Sequence, residues 1–471
     1  MGQTHEVVVA GGGMSGMCAA LSAAESGANV RLLEKGEVPG GSFMLSGGLL
    51  WTYASMAAVG QLMPHGDSTL QEQVLTGIDD ARVWLAGHGV EIGRPVSMPH
   101  GGRGYELAPS QAVPALRAAM GRMDVRVDVG TSLSGLRVES GAVTGVEVLR
   151  VDSLRAETLT CDAAVLATGG FQGNPELIVR YLGVPPESIQ LRANRWSTGD
   201  GLLAALEAGA STTPGLTHFY GHALAAPPAT FSPTQFRDAS QYYGSSALAL
   251  NLAGERFVDE AGGSGEEHVN EALARQTSGM GFYVVDARIA GGEILLGMKG
   301  QVIIDRAIAL GAPHAVSDTL WGLCEQLEQF GVSATRALST IRQFNDLVRE
   351  GRRGHLYPPR TDDCAPLDCP PFQAIGVQAA ITFTMGGIAV DERMRVLGRS
   401  QGSSLINGAV SDLGDMREAP IPGLLAAGCD VGGLHYGGYM GGLACAAVTG
   451  RIAGLSAGGA PPPPAAAGRA I

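Results

Sequence analysis

The chain has 471 residues, 45% hydrophobic and 16% charged, which leaves room for two or three well-cored domains and excludes extended disorder. A net charge of −13, with Lys35 and Lys299 as the only lysines and no basic stripe, excludes nucleic acid or an anionic membrane as the main partner. Glycine supplies 70 residues with no Gly-X-Y period, so the chain is not collagen-like and the excess marks tight turns and close backbone approach.

Residues 6–10 read as a short buried strand, rich in valine and closed by glycine. A helix of small residues follows over 16–26, ended by Gly27, and a second strand over 28–33. This is a β-α-β unit, the element of parallel sheets. Residues 39–48, rich in glycine and serine, read as a loop. Amphipathic helices are predicted over 79–88 and 110–122, the second capped by Ser110. Strands follow over 125–129, 133–138 and 142–149, with turns at Gly130 and Ser140-Gly141. Another buried strand, 163–167, runs into Thr168-Gly169-Gly170.

Between 216 and 370 glycine turns become rare, and a helix is predicted over 334–349 with Ser333 as its cap. Buried strands and glycine turns return from 379 to 450. The expected class is α/β: a Rossmann-like domain over 1–215 and 371–455, interrupted by an inserted α+β domain over 216–370. The low-complexity stretch 456–471 reads as a disordered tail.

Val7-Val8-Val9 begins a strand where a signal peptide would lie, and no run of 18 apolar residues exists, so neither a leader nor a membrane span is expected. Seven scattered cysteines, with Cys364 and Cys369 the one close pair, give no zinc pattern and suggest a reduced, cytoplasmic protein without a metal.

The strongest local signal is VVVAGGGMSG. Gly11, Gly13 and Gly16 form G-x-G-x-x-G between a strand and a helix, where the first glycine makes the turn, the second admits a pyrophosphate and the third packs helix on strand. Glu34 ends the second strand, where an acid accepts from a ribose hydroxyl. Further glycine turns at Gly40-Gly41-Ser42 and near Gly428, Asp430 and Gly432-Gly433 suit a long extended cofactor and favour FAD over NAD.

With these motifs the chain resembles the fumarate reductase/succinate dehydrogenase flavoprotein superfamily. The matching stretches run in family order: AGGGMSGMCAALSAAESGANVRLLEK, ATGGF, STGDGLLAALEAGA, NLAGERFVDE, TFTMGGIAVDERMRVL and IPGLLAAG…GGLACAAVTGRIAG. The resemblance implies a Rossmann-like FAD-binding domain with an inserted capping domain. It places Gly11, Gly13, Gly16 and Glu34 on the ADP half of FAD, and Gly41, Ser42, Gly47 and Gly48 along the pyrophosphate and flavin. Lys35, Thr168, Gly169, Asp200 and Gly442 complete the expected cofactor contacts. Relatives often carry a glutamate after A-A-G for the ribityl chain; Cys429 stands there, and Asp430 is the candidate in its place. The histidine of covalently flavinylated relatives is missing from SFMLSGG, so non-covalent FAD is expected.

At the substrate site the resemblance breaks. Fumarate reductases place a histidine before T-M-G-G, an arginine after the G-E-R-F-x-x-E motif and a second arginine in the last glycine-rich stretch. This chain has Thr382-Phe383, Ser264 and Tyr439 there. The loss of these chargeable groups argues against fumarate. What remains resembles the tyrosine-containing loops of tricarballylate dehydrogenase-like proteins and of ketosteroid or cyclic-ketone dehydrogenases.

Tyr439, then Tyr436, His435 and His222, are the candidate catalytic residues, since desaturation beside a carbonyl needs a proton acceptor and donors for the developing enolate. Packing is the alternative role for both tyrosines, as is a satisfied core position for His218 and His222. Arg256 and Glu260 suit an internal ion pair at least as well as catalysis.

The expected function is an FAD-dependent oxidoreductase on a CH–CH bond next to a carbonyl of a neutral ketone-type small-molecule substrate. With no second fingerprint for NADPH, electrons go to an external acceptor, whether quinone, carrier protein or oxygen. The alternatives are tricarballylate dehydrogenase-like oxidation, with Arg103, Arg192 and Arg195 as carboxylate partners, and non-catalytic FAD binding in an electron carrier.

Overall fold

Val7, Val8 and Val9 are buried to 3% exposure or less, which drives the strand Glu6–Ala10 into the middle of a sheet. It pairs in parallel with Asn29–Leu33 on one side and Ala163–Leu166 on the other, Val8 lying opposite Arg31 and Ala164. Arg126–Asp128 and Pro420–Ala426 extend the sheet in parallel at either end, and antiparallel Arg395–Leu397 closes it at six strands. In this computed structural model the described residues are 5–98, 101–263, 265–399 and 419–460.

The small-residue helix Met14–Glu25 packs against Gly442–Ala457. A Cβ on Gly450 would lie 2.4 Å from the Ser15 carbonyl oxygen, and one on Gly454 2.2 Å from that of Ala19. Glycine is thus the condition for these two helices to meet along their backbones.

Two compact units are formed. The first comprises Met1–Asn174, Asn194–Thr217 and Thr384–Ile471, the second Pro175–Ala193 and His218–Phe383. The inserted stretch read from composition, 216–370, differs from the second unit at both ends. Gln190 and Leu191 pair with Ala380 and Ile381, which draws their flanking segments into that unit.

The second unit is built on an antiparallel sheet in the order Leu224–Ala225, Phe372–Gln378, Met280–Val285, Leu248–Asn251, with His314–Ser317 also paired to Phe372–Gln378. Helices Leu320–Leu327 and Ala334–Arg349 bring Leu323, Ile341 and Phe344 onto Phe282 and Val284. Each such burial is worth about 1.5–3 kcal/mol. Ser333 caps the second helix as expected, accepting from Arg336 N–H at 3.4 Å.

Several elements differ from the sequence reading. The helix expected over 79–88 is the second half of Ser68–Gly87, whose Asp67 cap accepts from the Thr69 and Leu70 N–H groups and whose stripe Leu70, Val74, Ile78, Ala81 and Leu85 is buried. Ser110 caps nothing: its helix starts one residue earlier at Pro109, whose ring presets the first helical φ. The loop 39–48 contains the short 3-10 turn Gly41–Leu45. The last helix runs through Ala457 into the expected tail, of which 461–471 lies outside the described residues. Among the described residues no helix is long and apolar enough to cross a membrane.

Candidate active site

The turn after the first strand separates glycines the protein needs from one it does not. Gly11 has φ 108°, and a Cβ there would lie 2.1 Å from the Ala167 carbonyl oxygen. A Cβ on Gly16 would lie 1.8 Å from the Gly11 carbonyl oxygen. Gly13 differs: its extended backbone (φ −74°, ψ −172°) suits any residue, and a Cβ there meets nothing within 4 Å. Neither packing nor conformation explains this missing side chain. Open space before the N-terminus of a twelve-residue helix fits the pyrophosphate of a dinucleotide.

The neighbouring groups converge on this turn. Glu34, 5% exposed, accepts from Gly12 N–H at 3.0 Å and Gly36 N–H at 2.7 Å. Burial pushes its pKa up, against the pull of those two N–H groups. Gly40 N–H donates to the Gly12 carbonyl at 2.8 Å, a Cβ on Gly41 would stand 3.2 Å from Gly13 Cα, and Ser42 Oγ accepts from Asn194 N–H at 3.1 Å. Lys35 Nζ is held by Asp200 at 2.9 Å and Thr198 Oγ1 at 2.6 Å. Gly48, at φ 69°, is required by the strand Gly102–Leu107, because a Cβ there would lie 2.0 Å from the Leu107 carbonyl oxygen; Gly47 beside it is exposed.

Asp430 turns to its own protein. Its carboxylate accepts from Thr168 N–H, from Thr168 Oγ1 at 3.0 Å and from Gly169 N–H at 3.3 Å. Gly201 N–H donates to the same Thr168 hydroxyl at 3.0 Å, so one chain of bonds runs from helix Asp200–Glu207 to Asp430. Beside it, two buried polar atoms lack a partner among the described residues, Thr384 Oγ1 and Gln172 Oε1. A Cβ on Gly170 would fall 2.6 Å from the first and 2.7 Å from the second. Orphaned polar atoms around a side-chain-free position fit the polar edge of a bound flavin, and the sequence reading missed both residues.

Farther along, the Tyr439 hydroxyl accepts from Gly442 N–H at 3.0 Å, at the start of helix Gly442–Ala457. The Trp51 ring meets Tyr439 edge-on at 5.5 Å, His435 stacks on it at 5.8 Å, and Tyr53 donates to its carbonyl at 2.9 Å. His435 is buried, accepts from Met440 N–H through Nδ1 at 3.4 Å, and is pushed by burial down to about 3, so it is a neutral ring with its proton on Nε2. The structure thus brings Tyr439 and His435 together and turns Tyr436 to His65, at 5.5 Å.

The second unit holds His222 between two groups: Tyr220 Oη lies 2.9 Å from Nε2 and Glu266 Oε2 lies 2.5 Å from Nδ1. The sequence reading named only His222. Tyr220 and His222 are spaced to share a face, a signal that was legible, whereas Glu266 comes from 44 residues away. His218 goes elsewhere, to Glu271 at 2.7 Å. Of the three arginines, Arg103 pairs with Asp79 at 3.1 Å and Arg195 lies over the Trp196 ring at 4.6 Å. Arg192 is held by hydroxyls: Ser240 and Thr382 at 2.9 Å and Tyr242 at 3.4 Å. Arg256 and Glu260 form a buried pair at 2.5 Å, with Arg360 at 3.4 Å, which is a structural network. Ser264 lies outside the described residues. Asp286, Asp368 and Cys369 have metal-ligand spacing, but Arg288 pairs with Asp286 at 2.9 Å and Arg349 with Asp368 at 3.6 Å.

The family model described as an FAD binding domain matches residues 6–444. The chain is 27% identical over 473 residues to vinyl phenol reductase of Lactiplantibacillus plantarum, covering 92% of this chain and 90% of that protein. It is 25% identical over 490 residues to a probable fumarate reductase of Shewanella frigidimarina, covering 97% of this chain and 75% of that one. Its fold is that of 3-ketosteroid delta1-dehydrogenase from Sterolibacterium denitrificans, with a TM-score of 0.71 at 19% identity over 97% of this chain and 99% of that one.

Proposed function

The chain belongs to the FAD binding domain family, and on that premise we propose that it adds or removes hydrogen across a carbon–carbon bond beside the carbonyl of a neutral, ketone-type substrate. It is an FAD-dependent oxidoreductase of C=C bonds, the class of its reductase relatives. In this reading Gly11, Gly13, Gly16 and Glu34 hold the ADP half, without a covalent bond to the flavin. Lys35, Gly41, Ser42, Gly48, Thr168, Gly169 and Asp200 line the rest, with Asp430 fixing Thr168. When bound, FAD supplies the hydride acceptor or donor. An external acceptor, whether quinone, carrier protein or oxygen, completes the turnover.

The side chains manage the proton and the oxygen. A proton beside a carbonyl becomes acidic only when donors meet the charge developing on oxygen. The observation that carries the reading is the Tyr439–Gly442 hydrogen bond. A phenol whose oxygen accepts from an N–H at the positive end of a helix becomes a stronger donor through its own proton. The neutral His435 ring and Trp51 give this phenol an uncharged wall, which suits a ketone better than a carboxylate.

Anaerobic absorption spectroscopy of the flavin tests this against cyclohexanone, a saturated 3-ketosteroid, succinate and tricarballylate, and of the dithionite-reduced protein against the corresponding enones and fumarate. Bleaching or reoxidation by ketones alone is expected. One observation favours the polycarboxylate alternative, a guanidinium at Arg192 that among the described residues is hydrogen-bonded by hydroxyls; bleaching by tricarballylate would decide for it.

A further inference from the structure

We infer that Trp196 is the platform on which the adenine ring of FAD stacks. This rests on the ADP half lying at Glu34, as proposed above, and adds what recognises its base. Every residue involved belongs to the first compact unit. Gly36, two residues after Glu34, donates its N–H to Glu34 Oε1 at 2.7 Å. A Cβ on Gly36 would lie 2.9 Å from Trp196 Nε1, 3.0 Å from Trp196 Cδ1 and 3.1 Å from Glu34 Oε1. The indole edge and the carboxylate assigned to the ribose therefore flank one point of the backbone. Gly36 lies outside the left-handed region, so it is the indole, and not the turn, that calls for glycine there.

The segment that carries the indole is pinned. Trp196 N–H donates to Asn194 Oδ1 at 3.1 Å, and Asn194 N–H donates to Ser42 Oγ at 3.1 Å. Thr198 N–H donates to the Trp196 carbonyl at 3.0 Å, and Lys35 Nζ donates to Thr198 Oγ1 at 2.6 Å. Gly173 N–H holds the Ser197 carbonyl at 2.7 Å. Residues 194–198 are thus a strap tied to Lys35, just before Gly36, and to Ser42, just after Gly41. A ring held this way is presented to a ligand with little ordering left to do.

Core packing leaves this tryptophan unexplained. Its ring is only partly buried, and the exposed Arg195 guanidinium lies over it, 4.6 Å from the centroid. With Arg195 on one face and Gly36 at the edge, the opposite face is the one assigned to the base. Adenine suits it: a flat, neutral heterocycle stacks on an aromatic face without needing a hydrogen-bond partner there. Adenosine is then divided between two neighbours, Glu34 for the ribose hydroxyls and Trp196 for the ring. The same assignment takes Arg195 out of the arginines considered for a carboxylate substrate and gives it to the cofactor, as the cation backing the indole.

Titration of the full-length apoprotein with FAD, read by flavin fluorescence, tests the stack. Trp196→Ala is expected to weaken FAD binding about 10- to 100-fold, the scale of one base–aromatic stack, with the melting temperature of the apoprotein retained. Trp196→Phe, which keeps an aromatic face, should recover most of the affinity. ADP, which carries the adenosine without the flavin, should quench the indole emission of the wild-type apoprotein and leave that of Trp196→Phe unchanged. An affinity of Trp196→Ala within about threefold of wild type, an equal loss in Trp196→Phe, or ADP quenching undiminished in Trp196→Phe overturns the stack. Should the alanine variant melt early, Trp196→Phe and the ADP titration decide. No ketone, enone or acid enters the test, so its outcome is independent of the C=C chemistry. Gly13→Val separates it from the placement of the cofactor: FAD lost by Gly13→Val and kept by Trp196→Ala overturns the stack alone. FAD kept by both removes the ADP half from this turn, and the stack with it.

Discussion

Asp430, at the turn after one strand of the six-stranded sheet, closes its carboxylate on the backbone and hydroxyl of Thr168, at the turn after the adjacent strand. Burial pushes the Asp430 pKa up while the Thr168 and Gly169 donors pull it down. Replacing Asp430 with alanine strands those donors, at a cost of about 1–3 kcal/mol for each one left buried. Asp430→Ala is therefore expected to lower the melting temperature and weaken FAD retention together, read by calorimetry and flavin absorbance. Asp430→Asn, which keeps an acceptor, should lose less of both.

Two glycines of one fingerprint should fail differently. Gly16→Val forces a side chain into the Gly11 carbonyl and should cost several kcal/mol, of the order of 4, or prevent folding. Gly13→Val enters open space, so the apoprotein should melt within about 1 kcal/mol of wild type while its visible flavin absorbance is lost. Retention of FAD by Gly13→Val would remove the pyrophosphate from this turn.

Tyr439→Phe keeps the ring between Trp51 and His435 and removes the hydroxyl that accepts from Gly442 N–H. The expected result is a fall in kcat of about 100- to 1000-fold with flavin content unchanged, the scale of losing one oxyanion donor. A loss confined to KM would make the hydroxyl a binding group only.

Stability should fall in acid through His435 and His222. The unfolded rings take protons near pH 6.5, the folded ones near 3. Between these values the unfolded chain binds more protons, so this stability is full above about pH 6.5 and is lost as pH falls towards 3, by up to about 5 kcal/mol for His435. Glu266 acts in the opposite sense: its contribution is present below the unfolded carboxyl pKa and is lost as pH rises through about 8. A plot of melting temperature against pH should therefore peak between the two, with His435→Gln flattening its acid limb.

Glu260, fully buried between Arg256 and Arg360, should behave as structure rather than chemistry. Glu260→Gln leaves the buried Arg256 guanidinium without its anion, while Arg360 keeps Asp362 at 2.7 Å, and should cost about 3–5 kcal/mol in urea unfolding. If the protein folds, its flavin spectrum should be that of wild type.

What the sequence disclosed follows from how local each signal is. The fingerprint, Glu34 and the Ser333 cap are legible because turn, helix and acid lie within one stretch whose backbone they control. The Tyr220–His222–Glu266 line was only partly legible, since Glu266 reaches His222 across 44 residues. Asp430 reads in the sequence as the candidate contact to the ribityl chain, whereas the bond of its carboxylate to Thr168, 262 residues away, could not be read from either motif. The pairing of 190–191 with 380–381 escaped for the same reason: two-residue strands have no period.

The register that sets Val8 beside both Arg31 and Ala164, and Ala164 beside Leu424, also sets a timetable. On the ribosome the first β-α-β unit emerges early, yet the sheet closes only after Pro420–Ala426 and gains the helix Gly442–Ala457 later still. The antiparallel sheet of the second unit, whose strands all lie within 224–378, is complete before either appears. Yellow colour in a nascent or proteolysed sample would therefore report a chain synthesised through its last helix, and a product truncated before Gly442 should emerge colourless.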